Sequence, residues 1–333
     1  MNLETKYLGL NLQHPIVVGA SPLADDIDQA KRFEDAGAAA IVMRSLFEEQ
    51  IEGEISAVDA HIHRHADGYA EANTFFPDAS VFVLGPDRYL KHVHKLRSSL
   101  GIPVIASLNG TSPGGWLRFA KEIEEAGAHA LELNLYVVPT NPDDDAATLE
   151  HRAVEVVRQV RATIRIPFAV KLSPFYSSLP NFVRKLEAAG ANGLVLFNRF
   201  YQPDIDPTML EVRRSLRLSD FSELLLRLRW LAILSGQTNL YLAASGGVHV
   251  AIDAVKAIMT GAHTVQMVSS LLVNGPTRLT EVVNGIRSFL EENEYASIEQ
   301  MRGNMNLSRC PDPSGYERAN YAEILQSWHG WGR

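Results

Sequence analysis

The sequence predicts an α/β protein built as a closed (β/α)8 barrel, a TIM barrel, with long loops at the C-terminal face and a C-terminal tail. Two observations predict it. Four helix-like segments each run into an Xaa-Gly-Ala turn and then a short apolar run, with the glycines at Gly37, Gly127, Gly190 and Gly261. Glycine supplies the left-handed residue that ends a helix, and the following run is typical of a strand buried on both faces. In addition, eight such runs alternate with helical periodicity along the chain.

The eight apolar runs are predicted to be the barrel strands. Each is short and bounded by glycine, proline or polar residues, as strands of a parallel sheet are. In chain order they cover residues 14–20, 40–45, 103–109, 130–136, 167–173, 193–199, 240–246 and 264–269.

Seven helices are predicted between these strands, because apolar residues recur there at i, i+3 and i+4. They cover residues 26–36, 115–126, 145–163, 179–189, 221–235, 249–260 and 276–292. Two connections, residues 47–102 and 200–220, are longer than plain strand-to-helix loops. Long loops on a barrel usually build its site, so we expect these two to contribute to function.

The domain organisation predicted is one barrel over residues 1–300 and a C-terminal extension over residues 301–333. A single barrel domain of this size is common, because such barrels grow by loop insertion. The extension lacks barrel periodicity, and we expect it to pack on the barrel or to form a subunit contact.

Composition favours small-molecule chemistry in the cytoplasm. The net charge is −8, and Lys and Arg are scattered rather than gathered into a stripe, which argues against nucleic-acid binding. No apolar run approaches the roughly 18 residues that span a membrane, and the start resembles no signal peptide. The single cysteine, Cys310, excludes an internal disulfide and an iron–sulfur cluster held by this chain. Three alternating histidines, His61, His63 and His65, are interpreted as loop residues rather than metal ligands.

Polar residues at the ends of the predicted strands indicate where the chemistry lies. In a parallel barrel these ends converge on one mouth, and polar groups there are costly to bury without a ligand. The polar residues at these ends are Ser21, Arg44, Ser45, Asn109, Asn134, Tyr136, Lys171, Asn198, Ser245, Ser269 and Ser270, and the small residues beside them are Ala20, Gly246 and Gly247.

The segment Ser245-Gly246-Gly247, with Ser269-Ser270 on the next strand, predicts a phosphate site. Barrels commonly bind phosphate after strands seven and eight, through bare backbone N–H groups and a helix N-terminus, here one beginning near His249. The alternative is that the two glycines only make a tight turn.

Lys171 lies among apolar residues on a central predicted strand. A desolvated ammonium there needs an anion or a reaction. Three interpretations remain open: stabilisation of negative charge on a bound ring, a Schiff-base nucleophile, or a structural ion pair with a barrel carboxylate such as Glu132.

The ordered motifs of the chain resemble those of the FMN-containing dihydroorotate dehydrogenase family, over residues 15–302. They are Gly19-Ala20-Ser21-Pro22, Glu132-Leu133-Asn134-Leu135, Val170-Lys171-Leu172, Asn198, Ser245-Gly246-Gly247-Val248 and Val265-Gln266.

This resemblance implies an FMN cofactor and a barrel site that holds it. The flavin ring and ribityl chain would be lined by Ala20, Ser21, Asn134, Lys171 and Asn198, and the phosphate would be held by Gly246, Gly247, Ser269 and Ser270. Arg44-Ser45 stands where soluble members of the family usually have a Lys-Ser pair. The resemblance also implies a homodimer.

The predicted substrate side departs from the family pattern. An ungapped match places Val137 where the family has a Cys or Ser base, and valine cannot take a proton. Tyr136 is the nearest ionisable group, and it would need a lowered pKa to act as a base. Asn73 and Asn141 are the predicted substrate-binding residues, and Asn109 is a further predicted cofactor contact.

The function expected is therefore that of an FMN-dependent oxidoreductase, with Lys171, Tyr136 and Asn134 as the catalytic residues. It would pass electrons between a small cyclic or unsaturated substrate, dihydroorotate in the nearest family reaction, and a soluble acceptor or an electron-transfer partner subunit. Two alternatives are a Schiff-base lyase or isomerase that uses Lys171 on a phosphorylated substrate, and a flavin-binding barrel without turnover.

Overall fold

The predicted barrel is confirmed by a computed structural model, which describes residues 1–51, 85–110, 114 and 117–327. Eight parallel strands close in the order β11-β12-β3-β4-β5-β6-β7-β8. They are β3 (Ile16–Val18), β4 (Ile41–Phe47), β5 (Val104–Asn109), β6 (Ala130–Asn134), β7 (Phe168–Leu172), β8 (Gly193–Leu196), β11 (Tyr241–Ser245) and β12 (Thr264–Met267).

Helices surround the barrel in the described residues. They are α1 (Ile27–Asp35), α2 (Pro86–Ser99), α3 (Leu117–Glu125), α4 (Ala146–Thr163), α5 (Leu179–Ala188), α6 (Leu224–Leu234), α7 (Ala251–Met259), α8 (Ser269–Asn274), α9 (Thr277–Glu292), α10 (Ile298–Met301) and α11 (Ala319–Gln326). Within this part of the chain, no helix combines the length and apolar character needed to cross a membrane.

The four glycine turns have the predicted conformation. Gly37, Gly127, Gly190 and Gly261 have φ of 93°, 94°, 102° and 120°. A side chain is disfavoured at such φ, which explains why glycine recurs where each helix turns back into the sheet.

A short hairpin closes the N-terminal end of the barrel. Its strands, β1 (Thr5–Tyr7) and β2 (Leu10–Leu12), pair in antiparallel fashion. Tyr7, Leu8 and Leu12 belong to a buried cluster with residues of the barrel interior. Because described side chains fill this end, a ligand is expected at the C-terminal end of the barrel.

The structure departs from the predicted elements in the two long connections. Residues 47–102 contain α2, whose Tyr89, Val93 and Leu96 are buried. The helical spacing of these three residues was a usable signal that the element prediction omitted. Residues 200–220 contain a hairpin of β9 (Asp204–Asp206) and β10 (Glu211–Arg213), whose strands are only three residues long.

The C-terminal extension begins by lying against α6 and α7. The backbone N–H of Met305 donates to Met259 O at 2.9 Å, and that of Leu307 donates to Ala232 O at 2.9 Å. The buried Asn306 donates to Ser235. These bonds anchor residues 303–307 to the helices, and the domain boundary at residue 300 stays a prediction.

Candidate active site

A cavity of about 370 Å³ opens at the C-terminal ends of the strands. Most of the predicted site residues line it, namely Ala20, Ser21, Arg44, Ser45, Asn134, Lys171, Asn198, Ser245, Gly246, Gly247 and Ser269. They come from seven different strands or the turns after them, which is how a barrel collects distant residues at one mouth. Its walls also include residues that sequence reasoning did not assign to the site, among them Phe47, Arg199, Ser219 and Gln266.

Lys171 stands at the base of this cavity in a buried ion pair. Its Nζ lies 3.1 Å from Glu132 Oε1, and both side chains are buried. Gln266 Nε2 donates to the other carboxylate oxygen of Glu132 at 2.6 Å. The structural ion pair considered as an alternative therefore exists, but it coexists with a lysine that lines the cavity. An ammonium that donates to a carboxylate is not a nucleophile, so the Schiff-base interpretation gains no support.

Two asparagines meet above this lysine. Asn134 ends β6 and stands in register with Lys171 on β7, while the Asn198 side chain donates its amide to Asn134 Oδ1. Asn198 lies two residues past the end of β8, so the predicted strand over residues 193–199 was too long. Its backbone N–H still donates to Leu172 O at 2.8 Å, which holds this residue against the end of β7.

The predicted phosphate segment forms a confined pocket wall. Gly246 and Gly247 have φ of 96° and 78°. A Cβ on Gly246 would lie 2.9 Å from a guanidinium nitrogen of Arg227, and one on Gly247 would collide with the Leu224 backbone. Both positions therefore require glycine for φ and for space, and the Gly247 N–H donates to Ser219 Oγ at 3.4 Å.

A hydroxyl reaches the same wall from the long connection over residues 200–220, which was expected to contribute to function, although Ser219 itself was not predicted. Ser219 Oγ donates to Ser269 Oγ at 2.8 Å, and the Ser219 N–H donates to that oxygen at 3.0 Å. The buried Arg227 donates from Nε to Ser245 O at 2.9 Å and holds the end of β11 in place. Burial lowers the pKa of Arg227 from its usual value, and the nearby Glu223 acts against this shift.

The predicted helix N-terminus near the phosphate segment is present, and part of it is already hydrogen-bonded. We expected a helix N-terminus near His249, and α7 begins at Ala251, two residues further on. Asp253 Oδ2 accepts from the N–H groups of His249 at 3.0 Å and Val250 at 3.1 Å. These two N–H groups are therefore already used by an acid of the same helix.

The Arg44-Ser45 pair lines the opposite side of the cavity. A guanidinium nitrogen of Arg44 lies 2.5 Å from Asp25 Oδ2, and Ser45 Oγ shares a hydrogen bond of 2.7 Å with Ser107 Oγ. Ser21 Oγ donates to Gly19 O at 2.9 Å. These partners lock the side chains in position before any ligand is present.

Tyr136 and Asn141 do not lie in this cavity. Burial, followed by the nearby Tyr201, raises the pKa of Tyr136 above its usual 10.0, which is opposite to the shift that a base needs. The tyrosine ring instead packs on Phe200, with centroids 5.5 Å apart. Asn141 is exposed, and its Oδ1 accepts from Asp143 N at 3.1 Å in a turn.

Two other predicted residues, Asn109 and Ser270, also stand apart from the cavity walls. Asn109 ends β5 beside Asn134 in the sheet register but is not among the lining residues. Ser270 is fully buried and donates to Val248 O at 3.2 Å. Asn73 lies outside the described residues, as do His61, His63 and His65. Within the described ranges, no group of three His, Cys, Asp or Glu side chains could hold a metal ion.

The lining fits a flat, polar ring that ends in an anion. Gln266 Oε1 is buried in the cavity wall without a hydrogen-bond partner, as an acceptor that awaits a ligand N–H. The Gly246-Gly247 backbone and the Ser219 and Ser269 side chains form another part of the same lining. FMN has such a ring and such a phosphate, so the residues present fit the cofactor that the resemblance implies.

Comparison with known proteins gives a consistent set of relatives. The family model described as dihydroorotate dehydrogenase matches residues 2–290. A protein of Aeropyrum pernix, provisionally named dihydroorotate dehydrogenase A (fumarate), is 29% identical over 313 residues, which cover 90% of this chain and 96% of that protein. The catalytic subunit of dihydroorotate dehydrogenase B (NAD(+)) from Thermoplasma acidophilum is 23% identical over 91% of this chain and 98% of its own length. The corresponding subunit from Endomicrobium trichonymphae is 22% identical over 92% and 98%.

Proposed function

Because the chain belongs to the dihydroorotate dehydrogenase family of FMN-dependent oxidoreductases acting on CH–CH groups, we propose that it oxidises or reduces a small cyclic or unsaturated substrate at the described cavity. The observation that carries this proposal is the convergence of Lys171, Asn134 and Asn198 with the Gly246-Gly247 wall on one opening. A cation and two amides can orient a flavin ring, and a glycine segment after this strand is typical of the phosphate site of such barrels.

The residues have separate roles in this proposal. Lys171 supplies a fixed positive charge beside the ring, and Glu132 holds its Nζ in position. Asn134 and Asn198 orient the ring through their amides, while Gly246, Gly247, Ser219 and Ser269 hold the phosphate. When bound, FMN supplies the two-electron acceptor or donor. Asn73, Asn109 and Asn141 remain predicted contacts of substrate or cofactor.

Proton transfer is the step that differs from the family pattern. Val137 cannot accept a proton, and the raised pKa of Tyr136 disfavours a phenolate at neutral pH. Dihydroorotate is the first substrate to test, since it gives the family its name, and pyrimidine biosynthesis is the corresponding pathway. A substrate whose C–H is more acidic would need a weaker base.

Electrons would pass to a soluble acceptor or to a partner subunit in the cytoplasm, and the protein would act as a homodimer. The relatives support both acceptor types, because one carries fumarate in its name and others are named as catalytic subunits. Measuring the molecular mass of the protein in solution, with and without FMN, tests whether it forms the dimer.

The deciding experiment is an absorbance spectrum of the purified protein, followed by anaerobic addition of dihydroorotate. We expect a flavin spectrum that bleaches with substrate and returns with fumarate. A flavin spectrum that does not bleach would keep the cofactor and discard dihydroorotate. If no candidate substrate bleached it, a barrel without turnover would be favoured, and a protein unable to retain FMN would overturn the proposal.

A matched variant tests the role of the lysine. Lys171→Ala is expected to bind FMN more weakly or to reduce it more slowly, because the fixed cation is lost. Unchanged occupancy and unchanged reduction rate would contradict the assigned role.

A further inference from the structure

A second cavity, of about 740 Å³, lies beside the first at the C-terminal face. It is enclosed by the loop after β6, helix α4 and the loop after β7. The side chains that define it are Leu135, Val137, Leu149, Phe175, Tyr176 and Phe200. Its volume is within the range of about 300–1,000 Å³ that small-molecule sites occupy.

The two cavities are neighbours along the backbone. Asn134 lines the first cavity and the next residue, Leu135, lines the second. Similarly, Asn198 lines the first and Phe200 the second. Val137, at the position where the resemblance expects a base, therefore belongs to the wall of this second cavity. A molecule in it would stand next to the residues proposed to orient the flavin.

The charges at this cavity are already balanced by protein partners. Glu150 lies 2.7 Å from the ammonium of Lys185, and a guanidinium nitrogen of Arg152 lies 3.1 Å from Asp144. A ligand carboxylate or ammonium would find no unpaired charge of opposite sign among the described lining residues. The part of a ligand that enters here is therefore neutral.

The aromatic side chains of the wall favour a ring. Phe175 and Phe200 meet edge to face, with centroids 4.8 Å apart, yet Phe175 remains 65% exposed. Val137 is 43% exposed on the same wall. A neutral ring seated here would cover apolar surface on both residues and would add an aromatic contact to the existing pair.

We propose that this cavity, which we call the apolar subsite, binds a neutral aromatic or alicyclic ring carried by the substrate. The inference rests on the proposed function, because it assigns a substrate class to the same catalytic face. Such a substrate places its reacting bond over the cofactor cavity and its neutral ring against Phe175 and Phe200.

The test uses purified FMN-loaded protein and the neutral fluorescent probe N-phenyl-1-naphthylamine. We expect saturable binding with increased probe fluorescence and a change in flavin absorbance, since the two cavities adjoin. Leu149→Asp places a charge in the wall and is expected to weaken probe binding by about tenfold or more, whereas Leu149→Met preserves it. Phe175→Ala also weakens binding, and Phe221→Ala, which removes a phenylalanine 71% exposed elsewhere, leaves it unchanged.

Each result has a distinct meaning. Absent probe binding, or equal binding by Leu149→Asp, Phe175→Ala and the unaltered protein, would overturn the subsite. Probe binding that leaves the flavin spectrum unchanged would overturn the proposed connection between the apolar subsite and the substrate. FMN content is measured in the same samples, so loss of FMN from the unaltered protein refutes the proposed function and is separable from either result. If Leu149→Asp fails to fold, Phe175→Ala still decides between these outcomes.

Discussion

Substitution of Gly247 by alanine tests the physical basis of the proposed phosphate wall. Gly247 has φ of 78°, where an alanine costs about 1–2 kcal/mol. The added Cβ would also collide with the Leu224 N atom and lie 2.9 Å from its Cα, and both atoms belong to the backbone. Because backbone cannot rotate away as a side chain can, overpacking adds about 1–3 kcal/mol. We therefore expect a total loss of about 2–5 kcal/mol in the free energy of unfolding.

The matched control is Gly275→Ala. Gly275 has φ of 72°, but a Cβ added there would meet no atom of the described residues within 4 Å, its immediate chain neighbours aside. It should lose only the conformational cost of about 1–2 kcal/mol. Urea unfolding of both variants, with FMN content measured alongside, separates the two contributions. Equal stability of the two variants would refute the reasoning that this position is closed by the Leu224 backbone, and full FMN retention by Gly247→Ala would count against its proposed place in the phosphate wall.

Two further predictions concern buried charge. Lys171→Met should lower the free energy of unfolding by about 3–5 kcal/mol, because Glu132 would stay buried without its cation. The double variant Lys171→Met with Glu132→Gln should recover much of that loss. Equal free energies of unfolding for the single and the double variant, measured in urea, would contradict this. Burial, then repulsion from Arg302, lowers the pKa of His263 from 6.5 to about 3. The unfolded chain therefore binds the proton more readily, so this contribution to stability is complete above pH 6.5 and is lost as the pH falls towards 3. The loss of stability attributable to His263 should be about 2 kcal/mol between pH 6.5 and pH 5. The slope of the free energy of unfolding against pH in this range should fall by about one proton in His263→Asn. An unchanged slope would contradict the assignment.

The strands and the glycine turns were predictable because their signals are local. An apolar run buried on both faces, and a glycine at positive φ, are each decided by a few neighbouring residues. The ends of strands were less predictable, since β6 and β8 stop at Asn134 and Leu196 where polar site residues leave the ladder. Arg227 was a missed local signal, because it occupies a buried position on the face of α6 that also buries Leu231.

Other features of the site could not be deduced from the sequence. The contact of Ser219 with Ser269 joins residues 50 positions apart, and it depends on the path of a loop without regular structure. Glu132 was named as a partner for Lys171, but the third member, Gln266, comes from a strand 134 positions away from that glutamate. Such contacts are set by barrel closure, which no short pattern encodes.

The site divides into two halves with different physical origins. Lys171, Asn134 and Gly246 sit at strand ends or directly after them, where the barrel itself fixes their positions. Val137 and Phe175 come from loops, whose apolar side chains build a wall without altering the sheet. A change of substrate can therefore occur in the loops while the cofactor groups remain in place. The presence of a flavin and the identity of its substrate are consequently independent questions for this chain, and FMN retention alone cannot identify the substrate.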